Sequence, residues 1–265
     1  MDEELASRLR RGLASGPALL GGFVFELTHS ATVAQFSAAG LDFVLVDFEH
    51  SALDWSELLD FVQAARRAAI PVIVKISTLD QASVQKVLDI GATAIQLART
   101  ESAEQARLLV DFSRYPPAGS RAFCDYMGHT DFLGMEPRDV LAREEPLVIP
   151  MIESVRGLER LEEIVATPGL DALYIGASDL SVQLGVPGEY EHPTQLGSIE
   201  RIVGACARAG LPVILNSAQP EASARLVRRG VRGLVICADV PLLRSGATAA
   251  VAAHRSLFGA SAEAR

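Results

Sequence analysis

The run Gly40-Leu41-Asp42-Phe43-Val44-Leu45-Val46-Asp47-Phe48-Glu49-His50 decides how this chain is read. It begins at a turn glycine, continues as an apolar, β-branched stretch and ends in acids and a histidine. An uninterrupted apolar run is what a strand covered on both faces looks like, as in parallel sheets flanked by helices. In such folds ligands bind at the carboxyl ends of the strands. Asp47, Glu49 and His50 therefore fall where chemistry is expected.

Working outward, the same grammar recurs. Strands are expected at residues 19–27, 43–49, 71–77, 94–99, 147–153, 172–177, 212–217 and 233–238. Amphipathic stretches separate them. Residues 54–69 carry Asp54 as N-cap with Glu57 as its capping-box partner. Residues 81–90 stop at Gly91, 194–209 at Gly210 and 220–229 at Gly230, each a natural helix-ending glycine. Residues 102–113 stop before Pro116-Pro117, and 155–165 before Pro168-Gly169. Eight strand–helix units over 265 residues is the arithmetic of a single-domain (β/α)8, or TIM, barrel. An open doubly wound sheet would carry a Gly-rich phosphate loop after its first strand. Here Gly21-Gly22 lies inside that strand, and no G-x-G-x-x-G follows.

Residues 1–18 precede the barrel, 19–257 form it and 258–265 are a tail. Within the first part, residues 2–13 read as an amphipathic helix suited to plugging the barrel bottom. Residues 121–146 form a long insertion with Phe123, Tyr126, His129 and Phe132, and a loop of that length is usually functional.

Composition narrows the partners. A formal net charge of −9 argues against a general nucleic-acid binder. The N-terminus opens acidic, without a signal-peptide core, and no run is long enough to span a bilayer. The three cysteines, Cys124, Cys206 and Cys237, form no C-x-x-C pair, which suits a reducing cytoplasm.

Glu153, Asp179, His50 and Lys75 all converge on one rim in the barrel frame. Glu153 and Asp179 offer two hard oxygen ligands for a cation such as Mg²⁺ or Mn²⁺, with Co²⁺ also acceptable. The structural alternative is that Asp179 caps a turn and Glu153 pairs with Arg156. His50 is the expected general base, with Asp47 orienting its ring. The small turn Gly176-Ala177-Ser178-Asp179 has backbone N–H groups suited to a carboxylate. Lys75 reads three ways: a point charge for an oxyanion, a Schiff-base nucleophile, or a solvated strand-end lysine. His29, His192 and His254 read as caps, and His129 as a weaker substrate contact.

Five motifs together resemble the HpcH/HpaI family of class II, pyruvate-dependent aldolases, relatives of the citrate lyase β-subunit. They are the opening run, Leu88-Asp89-Ile90-Gly91-Ala92, Arg114 through Arg121 (RYPPAGSR), Ile152-Glu153-Ser154, and Ile175 through Gly185 (IGASDLSVQLG). The resemblance implies a barrel that swaps its last helix between subunits of a homo-oligomer, commonly a hexamer. It implies a divalent metal at Glu153 and Asp179, chelated by the keto and carboxylate oxygens of pyruvate or a larger 2-keto acid, and no organic cofactor. It further implies a 4-hydroxy-2-keto acid made from, or cleaved to, pyruvate and an aldehyde. His50 would be the acid/base. Gly176, Ala177, Ser178, Phe48, Met151 and Arg121 would contact substrate, and Asp89 would serve a neighbouring subunit's site.

The chain departs from the family pattern at named positions. Lys75 replaces an arginine, Met151 a glutamine, Phe48 a glycine, and the turn reads Gly-Ala-Ser-Asp rather than Gly-Pro-Ala-Asp. Phe48 and the aromatic insertion are expected to reshape the acceptor pocket. These exchanges keep alternatives open: a 2-keto acid decarboxylase or enolate-coupling enzyme, a Lys75 Schiff-base aldolase, or a barrel without chemistry.

Overall fold

The computed structural model describes residues 2–143 and 145–258. Its centre is a closed, all-parallel barrel in sequence order: β1 (Leu19–Val24), β2 (Phe43–Asp47), β3 (Val72–Ile76), β4 (Ala94–Leu97), β5 (Leu147–Ile152), β6 (Leu173–Ile175), β7 (Val213–Asn216) and β8 (Val231–Ala238). The helices around it are α1 (Asp2–Ala14), α2 (Ser30–Ala38), α3 (Trp55–Arg67), α4 (Gln81–Asp89), α5 (Ala103–Ser113), α6 (Pro137–Leu141), α7 (Val155–Glu159), α8 (Leu161–Val165), α9 (Ala177–Gln183), α10 (Pro193–Ala209), α11 (Pro220–Arg228) and α12 (Asp239–Phe258). The chain is a TIM barrel.

Local chemistry explains the element ends. Asp54 accepts the N–H groups of Ser56 and Glu57 while Glu57 returns a bond to Asp54 N–H, completing the capping box that starts α3. Gly91, Gly210 and Gly230 take positive φ of 97°, 71° and 105° beyond their helices. β2 stops at Asp47, two residues earlier than expected, because Asp47 Oδ1 accepts the N–H groups of Glu49 and His50 and folds the chain into a turn. The helix expected over 155–165 breaks at Arg160 into α7 and α8.

The interior and the outer layer are separate cores. Phe23, Phe43, Leu45, Ile73, Ile149, Tyr174 and Ile214 fill the barrel, and Ala6, Leu9 and Leu13 of α1 pack against them from below. The plug expected from residues 2–13 is thus present. Burying Leu9 and Leu13, each 1% exposed, contributes about 2 kcal/mol apiece. Asp171 anchors it, accepting Arg10 Nε at 2.8 Å and Arg114 Nη2 at 3.1 Å.

One feature differs from expectation. The 114–146 segment joins α5 to β5, so it lies at the amino-terminal ends of the strands, against α3 and α4. Gln63 Nε2 donates to Gly128 O and Arg66 Nη2 to Asp131 Oδ1. Phe123, Tyr126 and Phe132 therefore do not line the upper rim of their own barrel. The residues of α12 from Val240 to Ser256 are all exposed. Asp239 at its start is buried and accepts the N–H groups of Phe25, Glu26 and Leu27, tying β8 to the loop after β1. The expected tail, apart from Phe258, lies outside the described residues.

Candidate active site at the carboxyl ends of the strands

Register places Asp47, Lys75 and Gln96 side by side on β2, β3 and β4. All are buried. Lys75 Nζ lies 2.7 Å from Glu49 Oε2 and 3.3 Å from Asp47 Oδ2. Burial by itself would lower the Lys75 pKa, but the hydrogen bond to Glu49 and the charges of Asp47, Glu49 and Glu153 outweigh it and raise it above 10.5. Lys75 is thus a buried, carboxylate-paired lysine and not a solvated strand-end one.

Glu153 follows β5 and is 4% exposed. Its Oε1 accepts the N–H of Arg99 at 2.7 Å. Burial pushes its pKa up to about 7, the charges of Asp179 and Glu49 adding to the rise against the pull of Lys75 and the Arg99 bond. Gly176 gives it room, since a Cβ there would stand 2.5 Å from Glu153 Cβ and 2.4 Å from Met151 Cε. Asp179 sits in the first turn of α9, exposed, and the Gly176 cap of that helix makes no side-chain hydrogen bond. Glu153 forms no ion pair with Arg156, which instead lies 3.8 Å from Glu101. Among the described residues, no three His, Cys, Asp or Glu side chains form a metal-holding group. The donor set is two carboxylates, one buried and costly to ionise alone, and it fits a hard cation that keeps water.

His50 is placed differently from expectation. Its side chain is 60% exposed, and Nε2 lies 3.5 Å from Glu49 Oε2. Asp47 bonds to the His50 backbone, not to its ring. The group facing the ring is Glu49, whose same oxygen faces Lys75.

Several expected substrate contacts separate. Gly176, Ala177 and Ser178 form the turn beside Glu153, and Ser178 Oγ lies 3.0 Å from Tyr190 Oη. Met151 faces into the barrel and accepts Gln96 Nε2 at 3.0 Å. Phe48 does not narrow a pocket. Strand alternation turns it outward from Asp47, onto Trp55 of α3 at 4.6 Å. Arg121 is at the other end of the barrel, where its Nη2 bonds Asp89 Oδ1 at 2.8 Å. Asp89 is itself 6% exposed. His129 Nδ1 lies 3.3 Å from Asp89 O, also away from the upper rim.

Gln96, Tyr174 and Asn216 were not singled out from sequence, and Glu49 was placed on the rim without a role. Tyr174, buried, donates to Asn216 Oδ1. Gln96 Oε1 is buried without a partner. Only the Glu49 position carried a signal, in the acids that end its strand.

The sequence profile of the HpcH/HpaI aldolase/citrate lyase family matches residues 22–240. The chain belongs to that family. It is 30% identical to a 2-dehydro-3,6-dideoxy-6-sulfogluconate aldolase from Pseudomonas putida, over 87% of this chain and 90% of that protein. It is 33% identical to a hydroxypyruvate/pyruvate aldolase from Paraburkholderia phytofirmans, over 83% and 87%. The crystal structure of an HpcH/HpaI aldolase from Desulfitobacterium hafniense superposes with a TM-score of 0.87 at 30% identity, covering 95% of this chain and 96% of that one. The chain is a lyase of the aldolase type.

Proposed function

We propose that the upper rim makes or cleaves a 4-hydroxy-2-keto acid through a pyruvate-type enolate, with a divalent cation held by Glu153 and Asp179. The observation that carries this is the charge balance: one buried ammonium, Lys75, among the carboxylates of Asp47, Glu49 and Glu153, with Glu153 raised to about 7. A cation there would offset that surplus and withdraw charge from a keto oxygen as a Lewis acid. Mg²⁺ and Mn²⁺ suit the oxygen donors.

The chain's own groups have assignable work. Lys75 spends two of its three N–H donors on Glu49 and Asp47, leaving one for the oxyanion that develops when the carbon–carbon bond breaks. The exposed imidazole of His50 takes the proton of the 4-hydroxyl on cleavage and returns it on synthesis. Glu49 steadies the imidazolium through Nε2. The uncapped first turn of α9 at Ala177, Ser178 and Asp179 supplies N–H groups for the substrate carboxylate. Because Lys75 is held protonated, a Schiff-base route is disfavoured.

We place the protein in the cytoplasm on its free cysteines, and no described helix is long and apolar enough to cross a membrane. The exposed α12, with Val240, Leu242, Leu243 and Val251 open to solvent, is read as packing on another subunit of a homo-oligomer, with a hexamer expected. A contribution of Asp89 to a neighbour's site would require release from Arg121.

Deuterium exchange into the pyruvate methyl group, followed by NMR in D₂O, tests the core of this reading. Exchange with Mg²⁺ or Mn²⁺ that stops with EDTA supports it. Exchange unaffected by EDTA, or none with either metal, rejects it.

A further inference from the structure

Beside the turn that follows β6, a cavity of about 730 Å³ lies between the loop after α9 and the helices α10 and α11. Ala177 and Ser178 of the turn line it, so it begins where the proposed substrate carboxylate sits. Asn216, the last residue of β7, lines it as well. Ile214 fills the barrel, and strand alternation puts Asn216 on the same inner face. Its contact agrees, since the Tyr174 hydroxyl, inside the barrel, donates to Asn216 Oδ1. That bond fixes the amide. Asn216 Nδ2 has no bond among the described residues, and the residue is exposed at the barrel mouth. An oriented donor is thus open to whatever enters.

A second polar pair faces the same cavity. Ser178 Oγ lies 3.0 Å from Tyr190 Oη, and both residues are exposed. One hydroxyl proton serves that bond, which leaves the other free to donate and lone pairs free to accept. The outer lip does not favour an anion. Arg225 is paired with Glu191 at 2.6 Å and Arg229 with Glu200 at 3.0 Å, whereas Glu189 has no ion pair among the described residues. Uncharged groups that donate and accept, near an unpaired carboxylate, match a neutral hydroxyl.

We propose that Asn216, with Ser178 and Tyr190, selects a neutral acceptor aldehyde that carries a hydroxyl next to its carbonyl. This rests on the aldolase reading of the rim and names the acceptor class within it. The enolate carbon of pyruvate bonds to the aldehyde carbon, and the aldehyde oxygen takes a proton. The product is a 4,5-dihydroxy-2-keto acid.

Rates of pyruvate consumption with glyceraldehyde and with propanal, at saturating Mg²⁺, test this. The two aldehydes have equal chain length. Their kcat/KM ratio on one preparation cancels the fraction of folded protein. Asn216→Leu removes the amide, and Asn216→Asp keeps an oxygen for Tyr174 while losing the donor. Each should lower the glyceraldehyde-to-propanal ratio about fivefold to tenfold, mainly through KM for glyceraldehyde. Succinic semialdehyde, which carries a carboxylate, should be a poorer acceptor than glyceraldehyde for the parent protein. A ratio unchanged in both variants, or a parent that prefers the semialdehyde, would overturn the proposal. Deuterium exchange into pyruvate by the parent separates the two failures. Exchange with an unchanged ratio overturns this assignment alone, and no exchange overturns the aldolase reading together with it.

Discussion

At the amino-terminal end of the barrel, Asp171 meets Arg10 and Arg114 and also accepts the N–H of Val148 at 2.8 Å. At the carboxyl end, Lys75 faces Asp47, Glu49 and Glu153. Both ends bury charge. Below, one carboxylate has two cations and a backbone donor, and the result is an anchored plug. Above, carboxylates outnumber the ammonium, and Glu153 is driven up to about 7. A settled network holds a fold together, whereas an unsettled one costs stability and stays open to a cation or a substrate. The comparison separates two uses of buried charge within one architecture.

The sharpest way to break the comparison is at its upper end. Glu153→Ala or Asp179→Ala should lower metal-dependent turnover by about 10³-fold or more, without lowering the melting temperature of the metal-free protein. Full turnover in either variant would remove the metal assignment. At the lower end, Asp171→Asn should do the reverse. It removes one of the two carboxylates on the buried Arg114, Glu145 remaining at 2.9 Å, and should cost about 2 kcal/mol by denaturant titration while leaving kcat within twofold.

The third test uses pH. A carboxylate raised from 4.5 to about 7 binds its proton more tightly in the folded state. Folding stability of the metal-free protein should therefore fall as pH rises from 4.5 to 7, by about 3 kcal/mol from this group, and then level off. Glu153→Gln should flatten that slope and stabilise the metal-free protein at pH 8, as urea titrations across the range would show. A steeper loss in Glu153→Gln would contradict the sign. The smallest effects are expected at two residues. Borohydride with pyruvate should leave the protein's mass unchanged, because Lys75 is held as an ammonium. Phe48→Leu should leave acceptor preference unchanged in a panel of aldehydes, because its ring packs on Trp55.

Much of the molecule was legible in the chain. The apolar runs, the capping box at Asp54 and Glu57, and the helix-ending glycines are local signals, and each acts through its own few residues. They were enough for eight strands, their order and the plug helix. Sequence also set which side chains end the strands, so Glu153, Asp179, Lys75 and His50 could be brought to one rim by topology alone.

What required the tertiary structure was who faces whom. Asp47 accepts the backbone N–H of His50 while Glu49 faces its ring, because a turn at Glu49 and His50 replaces strand pleating once Phe48 has bonded to Lys75 O. Phe48 goes outward and Arg121 goes to the opposite end, since strand alternation fixes the first and the direction of an α-to-β connection fixes the second. Lys75 could be read three ways from its neighbours in the chain, and the carboxylates of Asp47, Glu49 and Glu153, brought in from other loops and strands, made it an ammonium. Strand and helix signals are short-range and survive in a linear string. Protonation and pairing depend on burial and on charges far away in sequence, and only the folded barrel supplies both.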